Sequence, residues 1–301
     1  MKVYKDHYQN IKNLEPLTLT IGNFDGVHTG HQGLIEFVKS FKDTKGALLT
    51  FYPHPMKVLR NVEYQQISTL DQKIKFIEPF NLDYMFIATF DEEFSSLSSD
   101  EFIDFLKRLN VKRIIIGQDF RFGKYAKGTV SDLQQHFLVE IFGDVKKDNI
   151  RISTTYIKDL IYSGNLEQAE IMLSRPYEIT GKVIHGDGVG RTLGMPTANL
   201  DVNSYVLPRN GVYYVKVLFN DKVYGGALNI GYNPTINYSV TKRVEVHILE
   251  FNEDIYGKEL TLQFMKYLRP EYQFKSKDLL MMQLVKDISN VRMLYNEDKE
   301  I

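Results

Sequence analysis

The chain has 301 residues with 43% hydrophobic and 25% charged side chains, the balance of a globular protein long enough for two domains of ordinary size. A formal charge of −1 argues against a broad polyphosphate-binding surface, so nucleic acid is not an expected partner, and the lack of cysteine excludes disulfides, cysteine metal sites and thiol catalysis. The N-terminal stretch MKVYKDHYQNIKNLEP has no apolar signal-peptide core and no later run approaches a membrane span, so a cytoplasmic protein with no membrane partner is expected.

In chain order, the short apolar runs Leu17–Phe24, Ala47–Tyr52, Tyr84–Phe90 and Arg113–Gly117 read as strands buried on both faces. Between the last two, Ser98 and Glu101 form a capping-box pattern, and Phe102, Phe105, Leu106 and Leu109 share one helical face. This βαβα rhythm indicates a doubly wound α/β domain, whose ligands bind at the carboxyl ends of the strands. The segment TIGNFDGVHTGHQ, Thr20 to Gln32, lies at that end of the first strand. It admits three readings: a metal site, a phosphate cradle or packing. Metal is disfavoured, because His28 and His31 have no third ligand nearby and helical ligand pairs usually stand four apart. In a phosphate cradle, Gly26 and Gly30 permit close backbone approach, the following helix presents its positive end, and both histidines can donate to phosphate oxygens.

After Pro176 the rhythm changes. Tyr177–Ile184, Gly211–Phe219, Lys222–Ile230, Arg243–Phe251 and Leu260–Tyr267 are strand-like, with Val244, Val246 and Ile248 alternating against Glu245, His247 and Leu249. An antiparallel barrel or sandwich is expected, with a domain boundary at residues 175/176, where proline interrupts a helical pattern. A terminal helix, Lys277 to Tyr295, carries Leu280, Leu284, Ile288 and Val291 on one stripe and reads as a lid on the barrel rather than a partner-binding helix. In HGDGVGRTLGMPTANLDV, the glycines Gly186, Gly188 and Gly190 could let backbone donors wrap phosphate. Thr197 and Asn199 offer neutral oxygen ligands suited to Mg²⁺, and the segment lacks the ending of a P-loop.

GNFDGVHTGH resembles the H-x-G-H signature of nucleotidylyltransferases, in the form found in bacterial bifunctional riboflavin kinase/FAD synthetases. TFYPHP (Thr50–Pro55) and GQDFRFGKYAKG (Gly117–Gly128) are similar to that family's next two motifs, and HGDGVGRTLGMPTAN resembles the riboflavin kinase signature. The resemblance implies a Rossmann-like FMN adenylyltransferase domain over residues 1–175 and a β-barrel riboflavin kinase domain with a terminal helix over 176–301. It implies that Asn23, His28 and His31 hold ATP phosphates within a loop that includes Asp25, Gly26 and Gly30, and that Asp119, Pro53 and Pro55 lie near the flavin. In ISTTYIKDLI the family's usual Ser-Ser-Thr-x-Ile-Arg is altered: Ser153 stays, Thr154 replaces the second serine and Lys158 replaces the arginine. These three are expected triphosphate contacts, with lysine keeping the charge but losing a bidentate fork. On the kinase side, Glu245 corresponds to the family's catalytic carboxylate, and Arg269 is a flavin or phosphate candidate.

The resemblance thus implies two reactions that use ATP and Mg²⁺: riboflavin to FMN, then FMN to FAD with release of pyrophosphate. Phe120 and Phe122 read as core rather than flavin stackers. Two rivals stay open, a kinase with a weakened adenylyltransferase, motivated by Thr154 and Lys158, and a non-catalytic flavin or nucleotide sensor, which Glu245 and the paired histidines argue against. An RNA-binding module is least favoured, since no basic run with interleaved aromatics is present.

Overall fold

Residues 1–186, 190, 194–202, 204–232 and 242–300 are described in this computed structural model, and Gly188 lies outside them. By internal contacts the chain forms two compact units, Met1–Thr154 and Thr155–Ile301.

The first unit is built on strands β1 (Lys2–Asp6), β2 (Leu17–Ile21), β3 (Lys45–Tyr52), β4 (Tyr84–Thr89), β5 (Val111–Ile116) and β6 (Leu138–Ile141). They form one six-stranded sheet in the order β1-β4-β3-β2-β5-β6, with every pairing parallel. The four central strands match the expected apolar runs. The two edge strands were not legible: β1, KVYKD, is exposed along its whole length and has no apolar signature.

Alternation on β2 sets up the two layers. Leu17, Leu19 and Ile21 face a core that includes Phe86, Phe102 and Phe105, while Leu48, Met85, Ile87 and Ile115 form a second core with Ile35, Val38 and Ile77. Helices cover the sheet: α1 (Thr29–Ser40), α2 (Pro55–Arg60), α3 (Leu70–Ile77), α4 (Glu92–Ser95), α5 (Ser99–Arg108) and α6 (Val130–Gln134). The expected capping box opens α5, with Ser98 Oγ accepting from the Glu101 N–H at 3.2 Å and Glu101 Oε2 accepting from the Ser98 N–H at 2.8 Å. From β2 the chain adds β3 and β4 on one side and β5 and β6 on the other, so the switch point of the sheet falls at the carboxyl end of β2.

A two-stranded ribbon, β7 (Lys146–Lys147) and β8 (Ile150–Arg151), precedes α7 (Thr154–Ser163) and α8 (Leu166–Leu173). The second unit then forms β9 (Glu178–Ile184), β10 (Ala198–Asp201), β11 (Gly211–Phe219), β12 (Lys222–Tyr232), β13 (Lys242–Ile248) and β14 (Glu259–Arg269). These close into an antiparallel barrel in the order β10-β13-β12-β11-β14-β9, which decides between the barrel and the sandwich. Val215, Val217, Leu228, Val244, Val246 and Leu262 are among its fully buried residues.

The terminal helix α9 (Lys277–Glu300) runs beyond the expected Tyr295 and crosses β11 and β12. Val291 is fully buried with Tyr214 and Leu249, the Tyr214 hydroxyl donates to Asp298 at 2.8 Å, and Lys216 Nζ lies 3.2 Å from the same carboxylate.

Gly226 shows how tightly the barrel is filled: a Cβ there would stand 2.7 Å from Val217 Cγ2 and 2.9 Å from Val246 Cγ2. Gly226→Ala is therefore expected to destabilise the second unit by about 1–3 kcal/mol in denaturant unfolding. A change below about 0.5 kcal/mol would mean that the barrel interior has room the packing denies.

Candidate active sites

Three of the motifs singled out in the sequence follow the carboxyl ends of neighbouring strands: loop 22–28 after β2, residues 53–55 after β3 and loop 117–128 after β5. Loop 22–28 has positive φ at Phe24 (49°), Gly26 (77°) and Val27 (40°), and protein groups brace it closely. Asp25 is buried, and its Oδ1 accepts from the Ile67 and Ser68 N–H groups at 2.9 and 3.1 Å. Ser68 Oγ accepts from the Gly26 N–H at 2.9 Å, and the Gln32 amide donates to the Val27 carbonyl at 2.9 Å. Asp25 and Gly26 were expected among the phosphate contacts. In the structure the groups named here brace the loop against segment 67–68.

The histidines carry the open chemistry. His28 is buried at the N-cap of α1, where its Nδ1 accepts from the His31 N–H at 3.3 Å. That bond places the proton of the neutral ring on Nε2, making that nitrogen a donor. Gly30 allows this, since a Cβ there would sit 3.2 Å from His28 Nδ1. The His28 and His31 rings stack at 3.6 Å between centroids and 15° between planes. Three buried side-chain polar atoms lack a partner among the described residues, and two of them, Thr29 Oγ1 and His31 Nδ1, lie in the first turn of α1. Buried polar atoms are nearly always paired, and a helix start also offers free N–H groups, so this turn is set up to receive an anion. Burial first, then the charges of His28 and Lys73, hold the His31 pKa well below 6.5.

The other first-unit candidates are more dispersed. Pro55 occupies the first turn of α2, behind an N-cap in which His54 Nδ1 accepts from the Met56 N–H at 3.2 Å. The His54 ring stacks on Tyr64 at 3.7 Å, and the Tyr64 hydroxyl reaches Asp25 Oδ2 at 3.4 Å, so the Pro53-containing loop and loop 22–28 are linked. Asp119 is exposed, 3.9 Å from Arg151. Phe122 is buried against Phe102 at 5.1 Å, in keeping with its reading as core, and Phe120 stacks on it at 6.0 Å. Ser153 precedes α7, which begins at Thr154, and Lys158 follows one turn later on the helix face of Thr154.

Sequence reasoning missed Lys73. This residue of α3 is only 6% exposed, and its Nζ donates to the Asn23 carbonyl at 2.5 Å and to Thr50 Oγ1 at 3.4 Å. Burial lowers its pKa to about 8, against the opposing pull of Asp25. The signal was present in LDQKIKFI, where Lys73 shares a helical stripe with Leu70 and Ile77, an unusual place for a charge.

In the barrel, strand register assembles the site. Asn199 pairs with Glu245, Glu245 with Asn229, Asn229 with Val212 and Val212 with Arg269, so one row crosses five strands on one face. Because Val244, Val246, Leu228 and Ile230 are buried in the interior, this row lies on the outer face, where α9 packs. A cavity of about 390 Å³ opens over it, lined by Thr197, Asn229, Glu245, Tyr272, Leu284 and Ile288 among others. A second cavity of about 420 Å³ shares Thr197 and adds Pro196, Val246 and Tyr256. Glu245 Oε1 lies 3.8 Å from Arg243, and His247 Nδ1 bonds the Pro196 carbonyl at 2.9 Å. Gly186 and Gly190 crowd this strip: a Cβ at 186 would strike the Asn199 amide, and one at 190 would lie 2.5 Å from the Met195 carbonyl.

Arg269 lines the cavity of about 390 Å³, and its charge is engaged by protein. Its Nε donates to Asp287 at 3.0 and 3.1 Å and its Nη2 at 2.6 Å, and Gln283 donates to the same carboxylate at 2.8 Å. Arg269, expected as a flavin or phosphate contact, thus also clamps α9 to β14. Asn229, His247 and Glu271 were also missed; Asn229 announces itself only as a polar residue inside the apolar run ALNIGY.

The FAD synthetase family model matches residues 10–156, and the riboflavin kinase (Flavokinase) family model matches 173–295. Over 282 residues the chain is 39% identical to the bifunctional riboflavin kinase/FMN adenylyltransferase of Bacillus subtilis, covering 89% of each. The chain belongs to the bifunctional riboflavin kinase/FMN adenylyltransferase family. The protein of that name from Escherichia coli K12 is 33% identical over 297 residues, 95% of each chain. A solved structure described as a macrolide-efflux protein from Streptococcus pneumoniae is similar over 96% of this chain and 98% of its own, with 30% identity and a TM-score of 0.85. Among the described residues, no helix of this family member is long and apolar enough to cross a membrane.

The Arg269–Asp287 pair is nearly buried, with side chains 15% and 6% exposed. Asp287→Ala, which strands the guanidinium, is expected to cost about 3–5 kcal/mol in urea unfolding, and a double replacement by apolar residues should recover most of it. Equal stability of Asp287→Ala and the parent would refute the clamp.

Proposed function

We propose that this chain carries out both reactions of its family at two separate sites: phosphorylation of riboflavin in the barrel, residues 176–301, and adenylylation of FMN in the α/β domain, residues 1–175. The observation that carries the reading is the row Asn199–Glu245–Asn229 under a cavity whose other wall is the apolar face of α9.

In the barrel, the flavin ring fits the cavity beneath Tyr272, Phe274, Leu280 and Leu284, and ATP fits the adjoining cavity across Thr197. Glu245 takes the proton from the ribityl 5′-hydroxyl as that oxygen attacks the γ-phosphorus, and ADP leaves. The Thr197 hydroxyl and the Asn199 amide oxygen are hard, neutral donors of the kind Mg²⁺ accepts, and Gly186 packs directly on Asn199. Two neutral oxygens are too few to hold the ion alone, so it would arrive with the nucleotide, and it would supply neutralisation of phosphate charge.

In the α/β domain no covalent intermediate is needed. An oxygen of the FMN phosphate attacks the α-phosphorus of ATP, and pyrophosphate leaves. His28, through Nε2, and His31 donate to phosphate oxygens as charge builds on them, with the first turn of α1 beside them. Asn23, Gly30, Ser153, Thr154 and Lys158 complete the phosphate contacts, and Pro53, Pro55 and Asp119 border the flavin. Riboflavin, FMN and ATP are the small-molecule partners, which places this work in the cytoplasm.

Glu245→Gln is expected to slow riboflavin phosphorylation by at least about 10²-fold and leave FMN adenylylation unchanged. His28→Ala combined with His31→Ala should do the reverse, both read by chromatography of the flavins. Loss of both activities in either variant, with its circular dichroism intact, would contradict two separate sites.

A further inference from the structure

We propose that Lys73 is a positioning residue for adenylyl transfer: its buried ammonium fixes the Asn23 carbonyl, and with it the phosphate loop, and supplies a counter-charge to the polyphosphate that the loop receives. The inference rests on the adenylyltransferase reading of the first unit.

A lysine ammonium has three donors and no acceptor, and a buried one is ordinarily matched by a carboxylate. Lys73 is 6% exposed, yet its hydrogen-bond partners are both neutral, the Asn23 carbonyl at 2.5 Å and Thr50 Oγ1 at 3.4 Å. Asp25 is the acid whose field reaches it, but that carboxylate is bonded to the Ile67 and Ser68 N–H groups. The charge is therefore under-compensated until an anion arrives. The lysine's effect on His31 shows that its field extends to the ring expected to touch phosphate.

The geometry accounts for the first half of the role. Asn23 is the last residue before the positive-φ stretch that begins at Phe24, and its carbonyl accepts from the Thr50 hydroxyl at 3.2 Å as well as from Lys73. Non-glycine residues hold such φ values only where their surroundings leave no alternative. Segment 67–73 provides those surroundings at three residues of the loop: Lys73 at Asn23, the Ile67 and Ser68 N–H groups at Asp25, and Ser68 Oγ at Gly26. Lys73 sits on a helix whose start is itself fixed by the Thr69–Gln72 capping box. With the Asn23 carbonyl held, its exposed side chain and the His28–His31 stack keep one orientation toward the ligand.

A charge stabilised by the ligand must respond to pH. The lysine is protonated in the free enzyme below about pH 8 and loses its charge above it. The ionisable groups coupled to it are Asp25 and His31, with Tyr64 bonded to Asp25 and His28 stacked on His31. Of these, His31 is already neutral above 6.5.

The test is the pH profile of kcat/KM for ATP in the conversion of FMN to FAD, from pH 7 to 9.5, in the full-length parent and in Lys73→Met. Conversion of riboflavin to FMN on the same chain serves as the control. The parent profile should fall above about pH 8. Lys73→Met should be at least about tenfold lower at pH 7 and lack the falling limb, so that the two profiles converge at high pH, with the kinase activity unchanged. Parent-like kinetics in Lys73→Met would overturn the inference alone, and a parent profile flat through pH 9.5 would do so even if the variant failed to fold. A parent that makes no FAD at any pH would overturn the adenylyltransferase reading and this inference with it.

Discussion

The bond between the Lys73 ammonium and the Asn23 carbonyl stands at the point where β2 leaves the sheet, and what the first unit presents at its strand ends depends on it. Burial that lowers a lysine from 10.5 to about 8 costs the fold roughly 3 kcal/mol at neutral pH, a cost relieved as pH rises from about 8 toward 10.5. Core packing alone would select an apolar side chain at a position flanked by Leu70 and Ile77. A destabilising charge retained under a backbone of positive φ is the pattern of a functional site rather than of a stability element. Around it, Asp25, Ser68 and Gln32 brace the loop, while Thr29 Oγ1 and His31 Nδ1 in the first turn of α1 are without a protein partner among the described residues.

The barrel solves its positioning problem differently. Antiparallel register brings Asn199, Glu245 and Asn229 into one row without any buried charge beneath them, because their strands turn Val244, Val246, Leu228 and Ile230 inward. The site is completed by α9, and its apolar stripe divides two tasks. Leu280, Leu284 and Ile288 line the cavity, while Val291 packs on Tyr214 and Leu249. Two polar attachments fix the helix, Asp287 on Arg269 within the span of this stripe and Asp298 on Tyr214 and Lys216 beyond its C-terminal end. The wall of this cavity and the stability of the C-terminal helix are thus one structural problem.

Much of this was legible in the sequence where the governing signal is local. The central strands, the Ser98–Glu101 capping box and the stripe of α9 each follow from periodicity or a short motif, and three motifs fell on one edge of the sheet as the α/β rhythm requires. The choice between barrel and sandwich was not legible, because closure depends on the pairings of β9 with β14 and of β10 with β13, between segments far apart in the chain. The structural ties of Asp25 and Arg269 were hidden for a related reason. A charged residue in a motif looks available until its tertiary partner is seen, and those partners, Ile67 with Ser68 and Asp287, lie 42, 43 and 18 residues away. Lys73 was missed because a single lysine on an apolar stripe is outweighed by the amphipathic pattern around it.

The central claim is that one chain holds two working sites acting in series. The most direct measurement is a chromatographic time course of the purified protein with riboflavin, ATP and Mg²⁺, resolving riboflavin, FMN, FAD, ADP and pyrophosphate. The account requires FMN to rise and then give way to FAD, with ADP formed for each riboflavin consumed and pyrophosphate for each FAD made. FMN that accumulates with ADP but without FAD or pyrophosphate would contradict it.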